Sequence, residues 1–288
     1  MAQTVGAAAI DRPEAGWWYP TAAALSANLV GIGLARFGYT PLIPALIAAH
    51  WFTPSAAVYL GAANLAGYLA GALGARVVAA RLGTATTLRL AMALTAASLV
   101  ACAIPLGFWW FFSWRFLSGG TGGMLMALAA PTVLPHVPPS RRGAAGGAIF
   151  TGVGLGIAAS GTLVPLLMRW GLVETWLGLG VLALILTLIA WRGWPASPEP
   201  ADAATAPRVK PPASPALRAL YVEYALNAVA LVPHMVFLVD FVARGLGRGL
   251  HQAALYWVVF GVGALIGPMV GGYLGDRFGF GRVLRLAF

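Results

Sequence analysis

The sequence predicts an all-α polytopic membrane protein. Of its 288 residues, 60% are hydrophobic and only 9% are charged, whereas soluble domains are about 45–50% apolar and about 25% charged. Uncharged apolar runs long enough to cross a bilayer recur along the chain. Backbone groups in lipid must bond internally, and strand-like alternation is missing, so these runs predict helices. This composition excludes a soluble enzyme, a disordered tail and a nucleic-acid-binding module.

Eight spans are predicted from the windows between charged residues. The run around Arg115 is too long for one helix, and a break near residues 105–107 divides it. The lone cysteine, Cys102, excludes a disulfide framework and a cysteine-based metal site, and no cofactor is expected. The predicted windows are 20–48, 56–75, about 88–106, about 109–133, 143–168, 175–191, 219–243 and 252–275.

The basic residues predict the orientation. Most Lys and Arg residues of the loops fall on the side of the N-terminus, and the other side carries only Arg169, Arg244 and Arg248. By the positive-inside rule, the N-terminus is expected in the cytoplasm, and the protein in a bacterial inner membrane. The same asymmetry accounts for the net charge of +10 without a nucleic-acid partner.

A proline-rich stretch divides the chain. We expect a cytoplasmic tail at 1–19, a six-helix bundle at 20–193, a cytoplasmic linker at 194–216 and the start of a second bundle at 217–288. A repeat supports two related halves, as in transporters. At an offset of 196 residues, Gly67, Gly71, Arg81, Gly83 and Arg89 recur as Gly263, Gly267, Arg277, Gly279 and Arg285.

Three segments resemble the major facilitator superfamily. Residues 272–282, GYLGDRFGFGR, resemble its loop signature, and residues 115–123, RFLSGGTGG, resemble its fourth-span signature. Residues 35–41, ARFGYTP, and 232–234, VPH, are similar to the uncharacterised YbfB-like branch. The resemblance implies the major facilitator fold, with a six-helix N-terminal bundle and an incomplete C-terminal bundle, and a secondary carrier that works by alternating access. It also implies gating roles for the loop residues Asp276, Arg277, Gly279 and Arg282.

The chain departs from the family pattern in three ways. Ala80 stands where the first-half signature would repeat Asp276, so no gating role transfers there. Thr162 follows Gly161 where efflux carriers have proline, so export is not supported. Members have about twelve spans, and the chain is therefore expected to be truncated after eight. We expect this 288-residue form, by itself, to transport nothing.

Two arginines inside spans are the main candidates for solute binding. Arg36 and Arg115 lie at similar predicted depth, and no Asp or Glu occurs between Glu14 and Glu174. Charges inside spans are costly, so both are expected to face the cavity and bind an anionic small organic solute. The alternative is that each bonds backbone carbonyls or pairs with a second-half carboxylate. Tyr39 and Asn64 are candidates for lining the cavity, with packing as the alternative.

Three residues of span 7 are candidates for proton coupling. His234 follows a proline, and histidine exchanges protons near neutral pH. Glu223 is a proton site or an interfacial carboxylate. Asp240 is a proton carrier or the partner of Arg244 in an i,i+4 pair. The predicted partners are therefore a small-molecule solute, the lipid bilayer and protons.

The sequence also leaves two other classes of membrane protein as alternatives. A channel would need a charged ring or a filter motif, and neither is visible. An intramembrane enzyme would need two facing carboxylates, for which Asp240 and Asp276 are the candidates. Their predicted positions at opposite membrane edges disfavour that pairing.

Overall fold

A computed structural model describes residues 16–195 and 214–287, which are helices joined by short turns. Eight helices in this part of the chain are long and apolar enough to span a membrane, which confirms the predicted fold class. They are α1 Trp18–Ala48, α2 Pro54–Leu82, α3 Thr84–Ala101, α4 Phe108–Val133, α5 Arg142–Leu167, α6 Leu172–Ala190, α7 Pro215–Asp240 and α8 Gly249–Phe278, and a short α9, Phe280–Ala287, follows.

The helix boundaries differ from the predicted windows mainly at the third span. Gly83 has φ +81°, a backbone conformation that glycine adopts without steric cost. It ends α2, and α3 begins with the next residue, Thr84. Span 3 therefore covers Thr84–Ala101 rather than 88–106. The predicted break is present, with Gly107 at φ +93° immediately before α4. Most of the predicted tail 1–19 and linker 194–216 lies outside the described residues.

The turn after α8 repeats the turn after α2. Gly83 and Gly279 have φ +81° and +86°, and each backbone N–H bonds the carbonyl four residues earlier, in Ala79 and Gly275. These glycines correspond in the sequence repeat. The helix interiors differ, because Gly67 and Gly71 pack on α4, whereas at Gly263 and Gly267 no atom lies within 4 Å of the place that a Cβ would occupy.

Helices α1 to α6 share one hydrophobic core. Its largest fully buried side chains include Trp176, Phe111 and Met92. Glycines let the helix backbones meet directly: Gly67 and Gly71 of α2 lie against Phe116 and Gly120 of α4. Such small-residue contacts are the usual way for helices to associate in lipid.

Helix α5 lies between α1 and α8. Gly152 and Gly156 meet α1, whereas Gly147, Gly154 and Gly161 meet α8. The glycines of α5 therefore serve two partner helices. Because α5 and α8 are antiparallel and in contact along most of their lengths, α8 is fixed against the first six helices.

Helix α7 packs on the other helices only through its second half and the π-helical turn that follows it, Phe241–Gly245. Val239, Val242 and Ala243 are buried with Phe37 and Trp257. By contrast, residues 218–230 are all exposed. We call the side on which α1 begins the N-terminal side and the other the opposite side. Helix α7 therefore contacts α1 at the opposite side and leaves a gap at the N-terminal side.

Candidate functional site

Helix α1 is irregular at its centre. An α-helix over Trp18–Asn28 continues as a π-helix over Leu29–Leu34, then as a 3-10 helix over Phe37–Leu42, and ends as an α-helix over Ile43–Ala48. Arg36 lies in the interruption between the π and 3-10 segments. Changes of helix type of this kind free backbone carbonyls and are frequent at functional sites.

Arg115 is enclosed beside this interruption. Its side chain is 2% exposed, and Nη1 donates a 2.6 Å hydrogen bond to the carbonyl of Ala35. The guanidinium carbon lies 4.1 Å from the centre of the Tyr39 ring. Nε has no hydrogen-bond partner in the described residues. The geometry in this conformation matches the alternative in which Arg115 bonds a carbonyl.

Arg36 is less enclosed and has weaker partners. Its guanidinium carbon lies 5.5 Å from the Phe37 ring centre and 5.3 Å from that of Tyr68. Nη2 is 3.9 Å from the sulfur of Met235 on α7. Within residues 16–195 and 214–287, no carboxylate is within ion-pair distance of Arg36 or Arg115. Arg36 therefore contacts α7 through Met235 and has no counter-charge among the described residues.

Tyr39 and Asn64 lie in the same cluster and hold its helices together. The Tyr39 hydroxyl donates a 2.8 Å hydrogen bond to the Ala57 carbonyl, and Asn64 Nδ2 donates a 3.1 Å bond to the Arg115 carbonyl. Both residues are nearly fully buried. In this conformation their polar groups bond to the backbones of α2 and α4.

The four predicted solute-binding residues line one small cavity. Its volume is about 20 Å³, and Met235 of α7 closes it, with the Met235 carbonyl accepting a 2.9 Å hydrogen bond from Thr40 Oγ1. A water needs about 10–15 Å³ of such space, so the cavity holds little more than one water. An organic solute can enter only if α7 moves away from α1.

The three predicted coupling residues do not form one cluster. His234 is exposed and adjoins Met235, so it lies at the depth of Arg36, with Nδ1 3.3 Å from the Ala230 carbonyl. Glu223 is exposed further towards the N-terminal side. Asp240 pairs with Arg244, and its Oδ2 accepts a 2.7 Å hydrogen bond from Nη2. In this structure Asp240 therefore forms the i,i+4 pair with Arg244 that the sequence offered as the alternative to a proton carrier.

Among the four predicted gating residues, the side chain of Asp276 bridges two helices. Oδ1 and Oδ2 accept hydrogen bonds of 2.7 Å from the backbone N–H groups of Gly143 and Ala144, in the first turn of α5. A carboxylate is favoured there by the free N–H groups and by the helix dipole. Arg277 bonds Tyr273 within α8, Gly279 ends α8, and Arg282 is exposed on α9.

Sequence reasoning missed the aromatic and sulfur partners of the site. Tyr68 and Met235 contact Arg36 but carry no charge that would mark them in a span. Trp257 of α8 is also central, because it is fully buried, lies 5.9 Å from the Phe37 ring, and donates a 2.9 Å hydrogen bond to Ser160. The sequence signal for Trp257 is only its position inside a span.

The two aspartates of the enzyme alternative are far apart. Asp240 ends α7 at the opposite side, and Asp276 lies near the end of α8 at the N-terminal side. Helix α8 runs the full distance between those sides. The two carboxylates therefore cannot act on one substrate.

Comparisons with known proteins agree with this architecture. The model of a family described as the uncharacterised MFS-type transporter YbfB matches residues 28–288. The crystal structure of a D-xylose-proton symporter superposes with a TM-score of 0.65 at 17% identity, over 91% of this chain and 70% of the symporter. At that identity the superposition shows the fold. No curated protein sequence matches. The family and the fold are those of a transporter and not of an enzyme.

Proposed function

The chain belongs to the family of the MFS-type transporter YbfB, within the major facilitator superfamily, and from that premise we propose that the full-length protein carries a small organic anion by alternating access, coupled to protons. The observation that carries this proposal is Arg36, a half-buried cation at the centre of a span without a carboxylate partner. The D-xylose-proton symporter with the same fold supports coupling to protons as part of the proposal.

Arg36 is the proposed contact for the anion. A guanidinium in a span is costly unless it is paired. Its present partners are two aromatic faces and a thioether, which satisfy few of its five N–H donors. A solute carboxylate would accept two of these donors in a bidentate pair. Binding would also replace the weak contact with Met235, and so would couple solute entry to the position of α7.

The backbone around Arg36 is held in the proposed site by Arg115, Tyr39 and Asn64. Arg115 bonds the Ala35 carbonyl that the interruption of α1 leaves free, and it stacks on Tyr39. Asn64 in turn bonds the Arg115 carbonyl. These contacts fix the backbone on which Arg36 stands. The remaining N–H groups of Arg115 add positive potential to the cavity that the anion enters.

The proposed cycle rocks α7 and α8 against the first six helices. In the present structure the opposite side is closed by Phe37, Trp257 and the second half of α7, and α7 is separated from the bundle at the N-terminal side. Opening the opposite side requires the Thr40–Met235 bond to break. The Asp276 bridge to α5, with Arg277, Gly279 and Arg282 in the same turn, is the proposed gate at the N-terminal side.

His234 is the proposed proton site. It is exposed and lies one residue from Met235, which contacts Arg36. Glu223, on the exposed half of the same helix, is the proposed route for protons from the N-terminal side. Asp240 would take part only if its pair with Arg244 opened. Protonation of His234 would add a positive charge next to the site and favour anion binding.

The proposed location is a bacterial inner membrane with the N-terminal side in the cytoplasm. The basic residues in and around the connections after α2, α4, α6 and α8 support this orientation. The division into a six-helix bundle, a cytoplasmic linker and a second bundle is part of the same proposal.

Uptake of radiolabelled solutes by the full-length protein in proteoliposomes tests the function. Symport of one proton with a monovalent anion moves no net charge, so uptake is measured rather than current. Gluconate and glucose serve as an anionic and a neutral probe of similar size, with further carboxylates and sugars as a panel. We expect saturable, pH-gradient-dependent uptake of at least one carboxylate, and expect His234→Gln to remove the gradient dependence while counterflow exchange persists. Uptake of neutral sugars alone would contradict the anion proposal. Gradient dependence retained in His234→Gln would remove His234 from coupling.

A further inference from the structure

A long apolar groove lies on the membrane-facing surface, away from the proposed solute site. Helix α2 contributes residues between Gly67 and Leu82, α3 those between Thr87 and Leu94, and α4 those between Phe116 and Met124. Its volume is about 340 Å³. The groove forms because glycines bring α2 directly onto α4, and a space remains between α2 and α3.

The walls of the groove suit hydrocarbon. Leu82, Leu90, Leu94 and Phe116 are each at least 41% exposed at its rim. The hydroxyls that line it are already satisfied: Thr87 donates to the Gly83 carbonyl and Thr121 to the Leu117 carbonyl. An apolar chain can therefore lie in the groove without leaving a buried polar group unpaired.

The length of the groove matches one leaflet. Gly67 to Leu82 is about 22 Å along a helix at 1.5 Å per residue, and half of a bilayer with its head groups is about 20–22 Å. The groove therefore extends from the interior of the bilayer to the head-group region at the N-terminal side.

The end of the groove at the N-terminal side is basic, with no acidic partner among the described residues. Arg81 adjoins the groove residue Leu82 and is exposed. It forms no ion pair in the part of the chain that the structure describes. The first six helices lack any Asp or Glu before Glu174. Arg89 of α3 instead donates a hydrogen bond to the Trp191 carbonyl and lies over the Trp191 ring.

We propose that this groove binds one anionic phospholipid, with an acyl chain between α2 and α3 and its phosphate at Arg81. Arginine pairs with phosphate through two parallel hydrogen bonds. Each basic residue near an anionic head group favours its binding by about fivefold. The lipid would seal the separation of α2 and α3 on the outside of the bundle.

Native mass spectrometry of the full-length protein with phosphatidylglycerol or phosphatidylcholine tests the proposal. We expect one phosphatidylglycerol to be retained in preference to phosphatidylcholine. Arg81→Gln should reduce that preference about fivefold, and Ala70→Phe, which fills the groove, should reduce retention of both lipids. The matched controls Arg169→Gln, an exposed arginine at the opposite side, and Val181→Phe, on the exposed face of α6, should change neither.

Three results would overturn the proposal. The first is equal retention of the two lipids by the unmodified protein. The second is an Arg81→Gln protein with unchanged preference, and the third is an Ala70→Phe protein with unchanged retention. If Ala70→Phe does not fold, Leu94→Trp fills the same groove from α3 and is judged by the same outcomes.

Discussion

Arg115 donates a 2.6 Å hydrogen bond to the carbonyl of Ala35, at the point where α1 changes from a π-helix to a 3-10 helix. The bond joins α4 to the irregular part of α1, and the same guanidinium stacks on Tyr39. The backbone that presents Arg36 is therefore held by a second arginine, which lies behind it.

Removal of this bond should destabilise the protein. Arg115→Met would leave the Ala35 carbonyl unpaired in an apolar interior, and we expect a loss of about 1–3 kcal/mol in the free energy of unfolding. Arg115→Lys retains one donor but not the planar stacking, so its loss should be smaller. Thermal unfolding in detergent measures both, with Arg169→Met as the exposed control. Equal melting of Arg115→Met and the control would show that the bond contributes nothing.

The two glycines that correspond in the repeat should differ in their response to alanine. A Cβ at Gly71 would meet the backbone carbonyl of Gly120, whereas one at Gly267 has no atom within 4 Å. We expect Gly71→Ala to cost about 1–3 kcal/mol by overpacking and Gly267→Ala to cost little. Denaturation of the two variants side by side measures the difference. Similar losses would contradict the contact between α2 and α4.

The bridge from Asp276 to α5 should contribute as a helix cap. Asp276→Ala removes both acceptors for Gly143 and Ala144, and we expect a loss of about 1 kcal/mol. Asp276→Asn keeps an acceptor but loses the charge that is favoured at a helix N-terminus. Its stability should therefore lie between that of Asp276→Ala and that of the unmodified protein. Unfolding midpoints provide the measurement, and Glu223→Ala is the exposed control. A stability of Asp276→Ala equal to that of this control would exclude the bridge.

The fold was largely predictable because span length and hydrophobicity are properties of contiguous sequence. The eight spans and the break before α4 follow from these properties alone. The start of α3 was misplaced because Gly83 ends one helix and permits the next without any polar spacer. The repeat correctly related Gly83 to Gly279, since a left-handed helix end depends on local sequence.

The candidate site was predictable only in part. Arg36 and Arg115 were identifiable because charge inside a span is rare, yet the sequence could not distinguish the enclosed arginine from the one that faces α7. That difference arises from the π and 3-10 segments of α1, which have no recognisable local pattern. Tyr68, Met235 and Trp257 were missed because apolar and aromatic residues are common in every span, and tertiary packing alone selects these three.

The most direct test of anion binding at Arg36 is the effect of Arg36→Gln on the uptake of radiolabelled carboxylates into proteoliposomes of the full-length protein. Because an ionic contact to the solute would be lost, we predict that half-saturating concentrations rise at least tenfold or that uptake disappears. Reconstitution and melting temperature should stay unchanged, as for the control Arg169→Gln. Carboxylate uptake equal to that of the unmodified protein would contradict the claim that Arg36 binds the transported anion.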